Sequence, residues 1–101
     1  MSIEAMRQRV GDVSETLKVM SHPDRLLVLC QLVEGEVGAG VLQANSQLSQ
    51  SAFSQHLTVL KKANLVSVRK QSQNVYYSLS DPKVKSLIHH LHSVFCDEES
   101  S

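Results

Sequence analysis

The feature that most constrains this chain is a helical stretch whose outer face is polar but uncharged, followed at once by a change of hydrophobic period. Ser49 is a natural N-cap, and neither Pro nor Gly interrupts the sequence from there to Lys62. Ala52, Phe53, Leu57 and Leu60 recur at helical spacing and predict a stripe facing a core. Ser49, Gln50, Ser51, Ser54, Gln55 and His56 fall mostly on the other side. A solvated helix face normally carries Glu and Lys. A face of Ser, Gln and His offers hydrogen-bond donors and acceptors instead, which is what reading base edges in a major groove requires. The helical spacing stops at Ala63-Asn64, Asn being tolerant of a left-handed backbone. Leu65 to Lys70 and Asn74 to Leu79 then alternate apolar and polar around Gln71-Ser72-Gln73, as the two strands of a hairpin do.

Charge is distributed to match. The net charge is zero, which by itself argues against a nucleic-acid partner. Yet Val37 to Ser80 contains no acid and four bases: Lys61, Lys62, Arg69 and Lys70. The flanking segments, Met1 to Glu36 and Asp81 to Ser101, are each net acidic. An acid-free block centred on a polar-faced helix is the electrostatic footprint of a surface that meets a phosphate backbone. The bland alternative is chance segregation of charge on a solvated face.

The rest of the chain reads as helices. Met6, Val10, Val13, Leu17 and Met20 form a narrow apolar stripe over about Ile3 to Met20, suited to a partner helix in the same chain or in a second subunit. Ser21 with Asp24 resembles a capping box, and Pro23 suits a first turn, so a helix is expected from Arg25 to about Val33. Leu26, Leu27, Leu29, Cys30 and Val33 make it apolar on most sides and therefore central. Gly38 and Gly40 discourage a long helix after Glu36, leaving a short one over about 39–45. Asp81-Pro82 opens a last helix to about Cys96, with Val84, Leu87, Ile88, Leu91 and Phe95 on one stripe and an acidic tail over 97–101.

With 101 residues there is room for one core, so a single domain over 1–101 is expected. No apolar h-region or membrane-length run is present, and a cytoplasmic protein is the default. Two cysteines in such a setting favour reduced or redox-active thiols over a structural staple. Catalysis is disfavoured by the lack of a phosphate-binding glycine loop, a metalloprotease motif or a clear carboxylate pair. A winged helix used only for protein contacts would carry acids on the outer face of the Ser49–Lys62 helix, and there are none.

The order of elements is mainly α with a β-hairpin wing. It resembles the ArsR/SmtB family of winged helix-turn-helix regulators. The likeness rests on Met20-Ser21-His22-Pro23 with Arg25-Leu26, on the run from Leu48 through Ser49, Gln50, Ser51, Ser54, Gln55, His56 and Leu57 to Leu60, on Leu65-Val66, and on Val75 to Leu79. The resemblance implies a homodimer built on the first and last helices, with a helix-turn-helix over 39–62, a wing over 65–79 and a dimerisation helix over 81–96. It implies binding to an imperfect palindrome in double-stranded DNA, the two recognition helices entering major grooves about 34 Å apart. Candidate DNA contacts are Ser49, Gln50, Ser51, Ser54, Gln55, His56, Lys61, Lys62, Arg69, Lys70, Gln71 and Gln73.

Metal-sensing members of the family carry Cys-x-Cys at the short third helix, where this chain has Gly38 and Gly40. Others bind zinc on the last helix. Here Asp81 is present, but Lys83 and Val94 stand where the histidines belong, and a Lys cannot replace a ligand. Neither familiar metal site is expected, and no cofactor is implied. Cys30 on the second helix and Cys96 at the end of the last resemble the thiol-based subgroup of BigR, SqrR, YgaV and HlyU. That likeness implies a regulator released from its operator when reactive sulfur species or an oxidant link the two cysteines. Two readings stay open beside it: a zinc-responsive repressor using His89, His92 and Cys96, and a regulator without an effector that counteracts another DNA-binding protein.

Overall fold

The structure, a computed structural model, describes residues 1–95. In chain order it contains α1 (Ile3–Met20), α2 (Pro23–Gln31), β1 (Val37–Gly38), α3 (Ala39–Ala44), α4 (Gln50–Lys62), β2 (Val66–Gln71), β3 (Asn74–Leu79) and α5 (Pro82–Phe95). Cys96 and the acidic tail lie outside the described residues. No helix among the described residues is long and apolar enough to cross a membrane.

Local chemistry sets most of the boundaries. Ser49 Oγ accepts the Ala52 backbone N–H at 3.2 Å and starts α4. Asp81 Oδ1 accepts the Lys83 N–H at 2.7 Å ahead of α5. Just past the end of α4, Asn64 adopts a left-handed backbone at φ 60°. This lets the Leu65 N–H reach back to the Leu60 carbonyl at 3.0 Å and turns the chain into β2.

One expected cap is displaced. Ser21 does not start α2; it closes α1, and its hydroxyl donates to the Lys18 carbonyl at 2.8 Å. His22 is the cap, its Nδ1 accepting the Asp24 N–H at 3.1 Å. The reason is Pro23. A proline in the first turn pushes the residue before it into extended backbone, and His22 sits there at ψ 128°.

The sheet has one more strand than the hairpin expected from alternation. β1 pairs antiparallel with β3, Val37 opposite Tyr77 and Gly38 opposite Tyr76, giving the order β1-β3-β2. β2 and β3 run in register from Val66 opposite Leu79 to Gln71 opposite Asn74. The turn between them is Ser72-Gln73, with Ser72 at φ 57°.

The core lies between α2, α4 and the sheet. Val28, Leu29 and Leu32 meet Leu42, Phe53, Leu57 and Leu60, and Ile88 closes it from α5. Burial of each such side chain contributes about 1.5–3 kcal/mol. α1 is different. Met20 is buried, but Met6, Val10, Val13 and Leu17 are 43%, 59%, 52% and 45% exposed, and Phe95 on α5 is 70% exposed. The core therefore uses the apolar side of α4 fully and leaves the apolar stripe of α1 outside.

Candidate nucleic-acid interface

α4 is held by its inner side and offers its outer side to solvent. Phe53, Leu57 and Leu60 are buried, which fixes the helix rotation. Ser49, Gln50, Ser51, Ser54, Gln55, Lys61 and Lys62 are then all exposed. Ser51, Ser54 and Gln55 line a shallow groove with Thr58 and Val59. Thr58 is an addition to the residues expected from the sequence. Its position one turn after Ser54 is the signal that points to it, and its hydroxyl donates to the Ser54 carbonyl at 3.0 Å. The first turn of α4 carries no acid, so its positive dipole end is unopposed at the surface. Lys61 and Lys62 stand in the last turn, where a cation also suits the negative end of the helix.

His56 is placed otherwise than its neighbours in sequence suggest. It is half-buried, and its Nδ1 accepts from Arg25 Nε at 3.2 Å. Its ring lies 4.3 Å from that of His22, tilted 45°. Arg25 also donates through Nη1 to the Val19 carbonyl at 3.2 Å, so one guanidinium joins the end of α1, the start of α2 and the middle of α4. Burial, then the neighbouring His22 and Arg25, push the His56 pKa down, against an upward pull from Asp24. The ring is thus directed at α2 rather than at the open face. Arg25 and His22 build this junction, yet in the sequence they read only as helix-start residues, since partners 31 positions apart leave no local signal.

The wing shows the same turn inward. Arg69 pairs with Glu36 through two hydrogen bonds, Nε to Oε2 at 2.8 Å and Nη2 to Oε1 at 2.7 Å. Its Nη1 donates to Gln71 Oε1 at 2.7 Å, and its guanidinium lies 4.6 Å from the centre of the Tyr76 ring. Hydrogen bonding to Arg69 holds the Glu36 carboxyl below its ordinary pKa and holds Arg69 above its own. Lys70 and Gln73 remain exposed near the tip, and Gln71 is exposed with its carbonyl oxygen engaged.

Of the two cysteines, Cys30 is half-buried on α2 and packs against the core. Cys96, and with it the distance between them, lies outside the described residues. On α5, His89 is exposed and His92 half-buried, while Nδ1 of His90 makes a 2.7 Å hydrogen bond with the Ser86 carbonyl. Among the described residues, the trio with donor atoms close enough to share an ion is His22, Asp24 and His56, within 4.8 Å of one another.

A helical core, a polar-faced helix and a tethered hairpin are shared with known proteins. The family model described as "Bacterial regulatory protein, arsR family" matches residues 22–68. The biofilm growth-associated repressor of Xylella fastidiosa is 36% identical over 99 residues, spanning 98% of this chain and 87% of that protein. The chain belongs to the ArsR family. Its relatives are transcriptional regulators rather than enzymes. The transcriptional activator HlyU of Vibrio cholerae is 40% identical over 96 residues, 95% of this chain and 89% of that one. In structure, reduced HlyU from Vibrio cholerae superposes with a TM-score of 0.87 at 39% identity, covering 93% of this chain and 99% of that one. The repressor BigR from Xylella fastidiosa superposes at 0.82 and 36% identity, covering 95% and 98%. The winged helix-turn-helix expected from the sequence is therefore the fold of this ArsR regulator, its hairpin extended to three strands by β1.

Proposed function

We propose that this ArsR regulator is a single winged-helix domain that works as a cytoplasmic homodimer, represses transcription by binding an imperfect palindrome in double-stranded DNA, and lets go when Cys30 and Cys96 become linked. One observation carries the DNA-binding half: the exposed face of α4 is acid-free and lined by Ser51, Ser54 and Gln55, with its apolar face buried so that the helix cannot roll. Ser49, Gln50, Ser51, Ser54 and Gln55 meet base edges and nearby phosphates. Lys61, Lys62, Lys70, Gln71 and Gln73 serve the backbone and orient the dimer. Arg69 acts on the wing and His56 on the seating of α4, through the partners described above. The exposed apolar stripe of α1, with the exposed Val94 and Phe95 of α5, supplies the dimer contact.

The switch rests on the placement of Cys30 in a helix that packs on both α4 and α5. Forming a disulfide removes a hydrogen from each thiol and passes two electrons to the oxidant. With two equivalents of a persulfide donor, each donor passes its outer sulfur to one thiol and leaves as a thiol; one cysteine persulfide then attacks the other, expelling hydrogen sulfide and leaving a three-sulfur link between the two. Either link ties α2 to the end of α5 and alters the distance between the two α4 helices, which must both fit one DNA duplex.

A gel shift with reduced and persulfide-treated dimer, paired with intact mass, tests both halves. Reduced protein should bind, with affinity falling steeply as salt rises. Treated protein should bind weakly and carry added sulfur, or be lighter by two hydrogens where simple oxidation is the signal. Cys30→Ser should bind DNA and ignore the treatment. Reduced protein without DNA preference contradicts the first half; unchanged mass and unchanged binding contradict the second.

A further inference from the structure

We propose that His22, Asp24 and His56 form a binding site for a divalent transition-metal ion of the zinc class, at the junction of α2 with α4. The site uses neither cysteine and none of the histidines of α5. One donor atom from each of the three residues lies within 4.8 Å of the others. His22 Nδ1 is 3.6 Å from Asp24 Oδ2, and the two imidazole rings are 4.3 Å apart between centres. A tetrahedral zinc ion holds its ligands about 3.3–3.6 Å apart, given metal–ligand bonds of about 2.0–2.2 Å. The His22 to Asp24 edge is already near that spacing. All three residues are half-buried rather than locked in the core, so rotation about their χ angles can close the rest. Two imidazoles and a carboxylate leave the fourth position to water, the ligand count of an open zinc site.

The protons are already in the right places. Nδ1 of His22 accepts from the Asp24 N–H and Nδ1 of His56 accepts from Arg25 Nε–H, so in both rings the lone pair is on Nδ1 and the proton on Nε2. An ion entering between the rings would take those two lone pairs and a carboxylate oxygen of Asp24. The ion must displace two donors: the Arg25 guanidinium from the His56 lone pair, and the Asp24 N–H that caps α2 from the His22 lone pair. Arg25 can turn away and keep its bond to the Val19 carbonyl. The tie between α2 and the recognition helix would then pass from a hydrogen bond to an ion bridge, so ion and DNA binding are linked.

Cobalt(II) added to the reduced, full-length dimer tests this. The expected result is one ion per protomer with visible d–d absorption and no sulfur-to-metal charge-transfer band. His22→Ala and His56→Asn should each abolish it, and Asp24→Asn should weaken it. Arg25→Gln should tighten it, because it removes a competitor and a positive charge; a purely structural cluster would not respond in that direction. Because these variants touch a helix cap, the wild-type protein supplies the second readout. Zinc should shift the ring resonances of His22 and His56 and leave those of His89, His90 and His92 in place. Shifts confined to the α5 histidines, a charge-transfer band lost in Cys30→Ser, absorption retained in both histidine variants, or no binding at all would each overturn the proposal.

Discussion

α4 and the wing are both expected to meet DNA, yet they treat their polar groups in opposite ways. On α4, Ser51, Ser54 and Gln55 stand open around a shallow groove while the apolar side is buried. On the wing, the strongest cation is committed: Arg69 is engaged by Glu36, Gln71 and Tyr76. The contrast separates two jobs that exposure alone runs together. Open side chains on a helix that cannot roll can distinguish bases. An arginine that clamps a hairpin to the loop before β1 sets where the hairpin points, and leaves Lys70 and Gln73 to touch the backbone.

The sharpest way to break this contrast is on α4. Gln55→Ala should cost about 1–3 kcal/mol of specific binding and leave binding to unrelated duplex nearly unchanged, measured as an affinity ratio between the two by fluorescence anisotropy. Equal loss on both duplexes would put Gln55 among the phosphate-binding residues instead. Lys70→Ala should act in the opposite sense. Removing one cation from a phosphate lowers the slope of log affinity against log salt by about 0.9, so the dimer should show a slope shallower by about 1.8, with the base preference kept. For the clamp, Arg69→Ala and Glu36→Gln should weaken DNA binding several-fold and by the same amount, and the double variant should be no worse than either single one. If Arg69→Ala is far worse than Glu36→Gln, the arginine reaches DNA directly.

The smallest effect belongs to the α2–α4 junction. The pKa of His56 is pushed down in the folded protein, so the unfolded chain takes up its proton first. The stability this site contributes is therefore present above about pH 6.5 and is lost as the pH falls below it. Melting temperature followed from pH 8 to pH 5 should drop more in the wild type than in His56→Gln, which has no proton to gain. Parallel curves would show that the histidine is indifferent to its setting.

Helices and hairpin are readable in the sequence because each carries its own signal within a few residues. The period in α4, the caps at Ser49 and Asp81 and the alternation in β2 and β3 are local facts. The strand β1 is not readable, because two residues, Val37 and Gly38, cannot show a period. At the start of α2 the sequence points to Ser21, since Ser is the commoner cap, whereas Pro23 dictates that the residue just before it takes the role. The roles of His56 and Arg69 are out of reach for a different reason. Their partners Arg25 and Glu36 are 31 and 33 positions away, and only the folded chain brings them together. Polar residues on a helix face show that something is recognised; which of them are free to recognise it depends on tertiary contacts.

The central claim is that the open face of α4, presented twice by a dimer, reads DNA sequence. Selection from a pool of random duplexes by the reduced protein at physiological salt tests it most directly. The expected result is enrichment of an imperfect palindrome whose half-sites are centred about one helical turn apart, roughly 10–10.5 base pairs, and loss of that enrichment in Gln55→Ala. Recovery of sequences with no shared half-site, or the same palindrome enriched equally by Gln55→Ala, would contradict it.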